Sequence, residues 1–285
     1  MEKLEYPGFS AVIATLGGPT LEQTLGCINS SSVLPQEILI CIPSAEKNNV
    51  AHLEGGNIKI LITKDRGQVA QRAEGFRHAQ GALVLQIDDD VEFDSNTIKN
   101  MIQLLLQLGP GYVIGPIFCD DVHRKPIARF STGLKGFIKN VYFTWVAGLR
   151  WGLPRMGTYS ARTCAISVDP EFAKTPLYPV QWLAGGFVIG FKEDLVLKNF
   201  YPLPGKAYCE DLLHAHCRSK QGVQHLVATN AMVSTKPQGD EIALSELKRE
   251  FKARYLIGKY LGAGAIGAAF FLSVEMIKRG IKAKV

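Results

Sequence analysis

The sequence predicts an α/β fold with a mostly parallel central sheet between helical layers. Two observations predict it. Strand and helix patterns alternate over the first 118 residues, and one apolar run, Ala82 to Ile87, ends in three aspartates, Asp88, Asp89 and Asp90. Alternating strands and helices require right-handed crossovers, which build parallel sheets covered by helices. Ligands of such sheets bind just outside the carboxyl ends of the strands, where the aspartates fall.

The elements follow in order. Phe9 to Thr15 is an apolar, β-branched strand, and Thr20 is placed to cap a helix running to about Asn29. Glu37 to Ile42 and Ile58 to Ile62 are the next strands. Gly67 to Gln80 has helical spacing, with Val69, Ala73 and Phe76 on one face. The strand ending at the aspartates comes next. Asp94 or Ser95 is placed to cap a helix whose buried face carries Ile98, Met101, Ile102 and Leu105, and Gly109-Pro110-Gly111 stops it. Tyr112 to Phe118 is a further strand. From Cys119 to Val180 the pattern breaks into basic and aromatic residues, with an amphipathic helix expected within Phe137 to Trp151. Regular structure returns at Val188 to Phe191, Lys192-Glu193-Asp194 starts a short helix, and another runs from Tyr208 to about Gln221.

A chain of 285 residues suits one large α/β domain or two small ones. The expected division is a domain over residues 1–240 in two halves, 1–118 and 119–240, then a helical extension over 241–285. Six cysteines without CxxC pairs read as reduced core thiols of a cytoplasmic protein. The polar start, Met1 to Tyr6, has no signal-peptide pattern.

The net charge of +6 is uneven, with much of the excess after residue 247. Nucleic-acid binding would need a denser basic face. The basic and aromatic stretch 119–180 has two readings: a peripheral subdomain with snorkelling cations, or a platform for an anionic or lipid-linked acceptor or a membrane surface. Tyr260 to Met276 is apolar but Gly-rich, contains Glu275, and is short of the twenty or so apolar residues of a spanning helix. Flanking cations suit a helix lying on the inner face of an anionic membrane. Packing on the protein's own core or on a partner suits it too.

Three adjacent carboxylates repel one another unless a cation sits among them. A hard divalent ion, Mg²⁺ or Mn²⁺, holding a phosphorylated ligand fits such oxygen donors. The competing reading is that one aspartate merely caps the following helix. Glu210-Asp211 at a helix start is placed either to cap it or, kept ionised by the helix dipole, to accept a proton.

With these pieces in order, the chain resembles a family 2 glycosyltransferase with the GT-A fold. The likeness spans roughly residues 9 to 235. It rests on Ala11 to Thr15, Gly67-Gln68-Val69-Ala70-Gln71-Arg72, Ile87-Asp88-Asp89-Asp90, Trp182-Leu183-Ala184-Gly185-Gly186-Phe187, and Glu210-Asp211. The resemblance implies a nucleotide-diphosphate sugar donor, a divalent metal and a saccharide or lipid-linked acceptor. It makes Asp90 the main metal ligand, with Asp88 at the ribose or a metal-bound water and Asp89 between them. It makes Asp211 the general base of an inverting transfer, with Glu210 in reserve. Arg72 would face the phosphates or base, and Thr15, Leu16 and Asp65 would edge the nucleotide pocket. Trp182 would stack on a sugar or sit in the core, and Gly185-Gly186 would let the acceptor approach the backbone.

Two departures stand out. The second strand ends Ile42-Pro43-Ser44 rather than in acidic residues, and Val233-Ser234-Thr235 stands near the place of a metal-shell histidine. The rival functions are a nucleotidyltransferase, against which Gly17-Gly18-Pro19 has no basic residue, and a catalytically inactive scaffold. A Rossmann dehydrogenase is disfavoured because no GxGxxG follows the first strand.

Overall fold

The computed structural model describes residues 7–120, 124–151, 155–203, 206–235 and 244–282. The elements are β1 (Phe9–Ala14), α1 (Leu21–Asn29), β2 (Glu37–Pro43), β3 (Ile58–Thr63), α2 (Gln68–His78), β4 (Leu83–Ile87), β5 (Val91–Phe93), α3 (Thr97–Leu108), β6 (Tyr112–Asp120), α4 (Gly133–Val141), β7 (Leu177–Val180), β8 (Phe187–Phe191), α5 (Glu210–Lys220), β9 (Gln224–Thr235), α6 (Leu244–Tyr260) and α7 (Ala265–Lys282).

One nine-stranded sheet runs β3-β2-β1-β4-β8-β6-β9-β5, with β7 also paired to β9. The strands β3, β2, β1 and β4 are mutually parallel. β8 lies antiparallel between β4 and β6, and β9 continues parallel beyond β6. The sheet is therefore mostly parallel, as the alternation predicts.

The period of two along each strand sorts side chains onto two helical layers. Ala11, Ile13, Ile38 and Ile40 pack with Leu25 and Ile28 of α1 and with Ile98 and Met101 of α3. Their neighbours Val12, Leu39 and Cys41 pack with Phe76 of α2 on the other face. Strands covered on both sides read as continuous apolar runs, which is how β1, β2 and β4 appear in the sequence.

Local differences from the sequence reading have local causes. α3 starts behind Asn96 without a side-chain cap, and the Thr97 N–H binds the Asp94 carbonyl, so neither Asp94 nor Ser95 caps the helix by its side chain. α4 begins earlier than expected and passes into a π-helical turn at Tyr142–Val146. β5, three residues long, and β7, which contains Pro179, are too short or too irregular to show a period.

Among the described residues no helix is long and apolar enough to cross a membrane. The apolar C-terminal segment is broken between α6 and α7. α7 packs Phe271 and Leu272 against Ala147, Phe143 and Val146, so one of its faces lies on the protein itself. The boundary expected near residue 240 lies outside the described residues.

Candidate active site

Four segments meet at the carboxyl end of β4. The Asp88 N–H donates to the Gly186 carbonyl at 2.9 Å, which binds the triplet to the start of β8. Gln86, the one polar residue of β4, donates from Nε2 to the Gly185 carbonyl. The Gly185 N–H donates to Asp211 Oδ1 at 2.9 Å, which brings in α5. Arg72 on α2 closes the ring: its guanidinium binds Asp88 Oδ1 at 2.5 Å and also binds Glu210 Oε1. Gln68 Nε2 adds a second bond to Asp88 Oδ1 at 3.0 Å.

The glycines are required by close approach. A Cβ on Gly185 would stand 2.5 Å from Asp211 Oδ1 and 2.7 Å from Glu210 Oε1, and one on Gly186 would stand 3.1 Å from Asp88 Oδ2. Gly185→Ala should therefore push the two acids off their positions and lower kcat at least ~100-fold, since misplacement of about 1 Å costs that much. Single-turnover kinetics with retained fold by circular dichroism checks it.

The electrostatics divide the acids. Burial, and then the neighbouring Glu210, push the Asp211 carboxyl well above the usual carboxylate range. At Asp211 desolvation and a like charge outweigh the helix dipole that the sequence reading invoked. α5 is entered through Cys209, held at φ +57°, a left-handed conformation rare for a residue with a Cβ. Backbone held this way costs about 1–3 kcal/mol and recurs at functional sites.

Asp89 is raised by burial and by Asp88, and Asp90 by burial and by Asp88 and Asp89 together. That surplus negative charge is what a bound cation would relieve, and the donors are hard oxygens, so the triplet fits a divalent ion. Among the described residues no group of three or more His, Cys, Asp or Glu side chains could hold a metal. An ion here would take Asp90 and at most one further carboxylate, and its remaining ligands from phosphate and water. Thr235, paired across from Val91, favours the ionised form of Asp90 against that rise. It occupies the neighbourhood in which the sequence comparison expected a histidine.

The other predicted residues distribute as follows. The Thr15 hydroxyl donates to Asp89 and accepts the Gly17 N–H at 2.9 Å, so Thr15 positions the triplet. Leu16 is exposed beside it, and its carbonyl accepts from Asn49. Asp65, exposed beyond β3, lines a separate cavity with Gln68, Asn199 and Tyr201. Trp182 is half-buried, donates from Nε1 to the Ile166 carbonyl at 3.2 Å, and lines a small cleft with Ala184 and Phe118.

Arg72, expected from the resemblance to face the phosphates or base, is only 2% exposed and is held by two carboxylates. Helical spacing could not reveal this, because its partners lie 16 and 138 residues away.

A buried basic group lies behind Glu210. Arg218, His214 and His225 are each at most 3% exposed. Arg218 Nε and Nη2 and both histidine Nε2 atoms have no partner among the described residues. Burial, then Arg218, hold His214 well below its ordinary value and His225 down to about 3. A histidine depressed in the fold is protonated more readily when unfolded, so its stability contribution is full above about pH 6.5 and is lost as pH falls toward 3. Denaturant unfolding should show stability falling from pH 6.5 to 4 with a slope approaching two protons, reduced to about one in His225→Gln.

The sheet, its two helical layers and the acids at the end of β4 define a GT-A fold. Residues 19–163, just over half of the chain, match the family model described as glycosyl transferase family 2, and the chain belongs to that family. Among solved structures, GalNAc-T7 with UDP, GalNAc and Mn²⁺ is similar at TM-score 0.58 and 15% identity, over 82% of this chain and 44% of that one. The chain thus spans less than half the length of that relative. S. aureus TarS in complex with UDP-GlcNAc is similar at TM-score 0.49 and 15% identity, over 96% of this chain and 73% of that one. The mannosyltransferase PcManGT from Pyrobaculum calidifontis, with GDP-Man and Mn²⁺, is similar at TM-score 0.49 and 14% identity, over 96% and 76%. No curated protein matches.

Proposed function

We propose that the protein transfers a sugar, with inversion, from a nucleotide-diphosphate sugar to a hydroxyl of a saccharide or lipid-linked acceptor, in polysaccharide or glycolipid synthesis. The observation that carries this reading is the double grip of Arg72, which ties the donor-side triplet to the acceptor-side pair in one cleft. Family membership supports it, and so does GalNAc-T7, a protein of the same fold whose structure contains UDP and Mn²⁺.

In this reading Asp211 removes the proton of the acceptor hydroxyl as its oxygen attacks the anomeric carbon. The bond from that carbon to the diphosphate oxygen breaks, the electron pair leaves with the diphosphate, and one displacement inverts the centre. The Gly185 N–H orients Asp211. The neighbouring Glu210, paired with Arg72, raises the basicity of Asp211. Asp90 would hold a divalent ion, which when bound supplies Lewis-acid stabilisation of the leaving diphosphate. The bonds that hold Asp88 use Oδ1, which leaves Oδ2, on the Gly186 side, for the ribose or a metal-bound water. Thr15 and Leu16 border the nucleotide.

Thermal unfolding with a panel of nucleotide sugars, with and without Mn²⁺, tests the reading. One donor at about 100 times its Kd should add about 2.7 kcal/mol of stability, a rise of roughly 5 °C or more, only when metal is present. Asp90→Ala should lose the metal-dependent part. Absence of any metal-dependent shift across the panel would sink the reading.

A further inference from the structure

α4 turns its apolar stripe away from the protein. Leu134, Phe137, Ile138, Val141 and Trp145 recur at helical spacing through α4 and its π-helical turn, and they are between 37% and 76% exposed. The side that faces the protein carries Gly136 and Asn140. A helix in water gains by burying its apolar stripe, so an outward stripe marks a face that something else covers. Phe137 extends the patch, because its ring meets that of exposed Trp151 edge-on with centroids 6.1 Å apart.

α7 repeats the pattern. One side packs Phe271 and Leu272 on the segment after α4. Ile266, Phe270 and Ile277, at spacings of four and seven, lie on the opposite side and are at least 53% exposed. Arg162 ties the two helices together. Its Nη1 donates to the Trp145 and Val146 carbonyls at 2.9 and 2.7 Å, and a Cβ on Gly267 would stand 2.9 Å from its Nε. The start of α7 and the end of the α4 stripe thus meet at one guanidinium. Further along, the Tyr142 hydroxyl donates to Glu275, and Lys278 Nζ stands 4.3 Å from the Tyr142 ring centroid.

The charge around this face is of one sign. From Arg124 to Val168 the sequence contains no Asp or Glu, and Lys135, Lys139 and Arg150 stand exposed among the apolar side chains. The acid of α7, Glu275, is paired with Lys278 at 2.7 Å. A second copy seated here would set like charges against each other, because a two-fold interface presents the same patch from both sides. A layer of anionic lipid headgroups answers both properties. The cations meet phosphate, the apolar side chains enter the acyl boundary, and tryptophan suits the level between. No helix among the described residues is long and apolar enough to cross the layer, so these two would lie in its plane.

We propose that α4, its π-helical turn and α7 form a docking surface for an anionic membrane. No residue of the candidate active site takes part, so membrane docking stands or falls apart from sugar transfer.

The test is cosedimentation of the full chain with vesicles of phosphatidylcholine, with and without phosphatidylserine. Vesicles that contain phosphatidylserine should carry the protein down, and pure phosphatidylcholine should leave most of it in solution. Leu134→Ser/Trp145→Ser/Ile266→Ser should weaken binding about tenfold or more, and Lys135→Gln/Lys139→Gln about fivefold per cation. All five positions are exposed, and circular dichroism checks that both variants fold. If the serine variant does not fold, the lysine variant decides alone. Binding that either folded variant leaves unchanged, equal binding to neutral vesicles, or no binding would overturn the proposal. A dimer in lipid-free buffer that the serine variant dissociates would assign the face to a second copy and overturn it as well.

Discussion

Asp211→Asn should lower kcat by about 10²–10⁴-fold while leaving donor affinity intact and raising thermal stability. The amide keeps the oxygen that accepts the Gly185 N–H, so the geometry persists. It removes the proton acceptor and replaces a like-charge neighbour of Glu210 with a hydrogen-bond donor. The stability sign follows from linkage. The folded-state pKa of Asp211 is raised, so its favourable contribution is present at low pH and is lost as pH rises through that raised value. Above that raised value the ionised residue destabilises the fold, and the variant should there melt higher by roughly 2–4 °C, about 1 kcal/mol. In the native protein the acidic limb of kcat/KM should lie above the ordinary aspartate range, because activity requires the ionised base. An acidic limb near pH 4 with transfer retained in the variant would remove Asp211 from the mechanism.

Arg72→Met should cost stability and activity together. It leaves Asp88 and Glu210 facing each other across a buried site without their shared cation. Removing one partner from a buried ion pair costs about 3–5 kcal/mol, roughly 10 °C in melting temperature here. Arg72→Lys should recover only part of this, since an ammonium lacks the fork that spans two carboxylates. The sharper measurement is the double variant Arg72→Met/Glu210→Gln. Neutralising Glu210 removes one of the two orphaned charges, so it should be more stable than Arg72→Met alone. Additive losses would show that the three groups do not act as a unit.

Much of the fold was legible because β1, β2 and β4 are buried on both faces and therefore uniformly apolar. The acids were legible as well, since a charged triplet against such a run has no packing explanation. What stayed hidden is long-range pairing. Arg72 looks like any helix cation until Glu210 arrives from 138 residues away. Gln86 carried a faint signal as the lone polar residue of an apolar strand, and its Nε2 does bind the Gly185 carbonyl. His225 and Arg218 carried none, because polar residues of β9 and α5 read as solvent-facing until the burial of both elements is known. The cations of 119–180 were visible, but the sequence did not show that Arg129, Lys139 and Arg155 line one cavity.

The position of β8 has a consequence for synthesis of the chain. A strand made late sits between two made early, β4 and β6, and runs against both. A nascent chain ending before residue 187 holds the β3-β2-β1-β4 ribbon with its β4 edge bare and β6 without either of its strand partners, and the triplet with Arg72 but without Glu210 to complete the clamp. The site is thus assembled only once the wedge strand and then α5 have emerged. Until then the open edges of β4 and β6 must be kept from pairing with other chains.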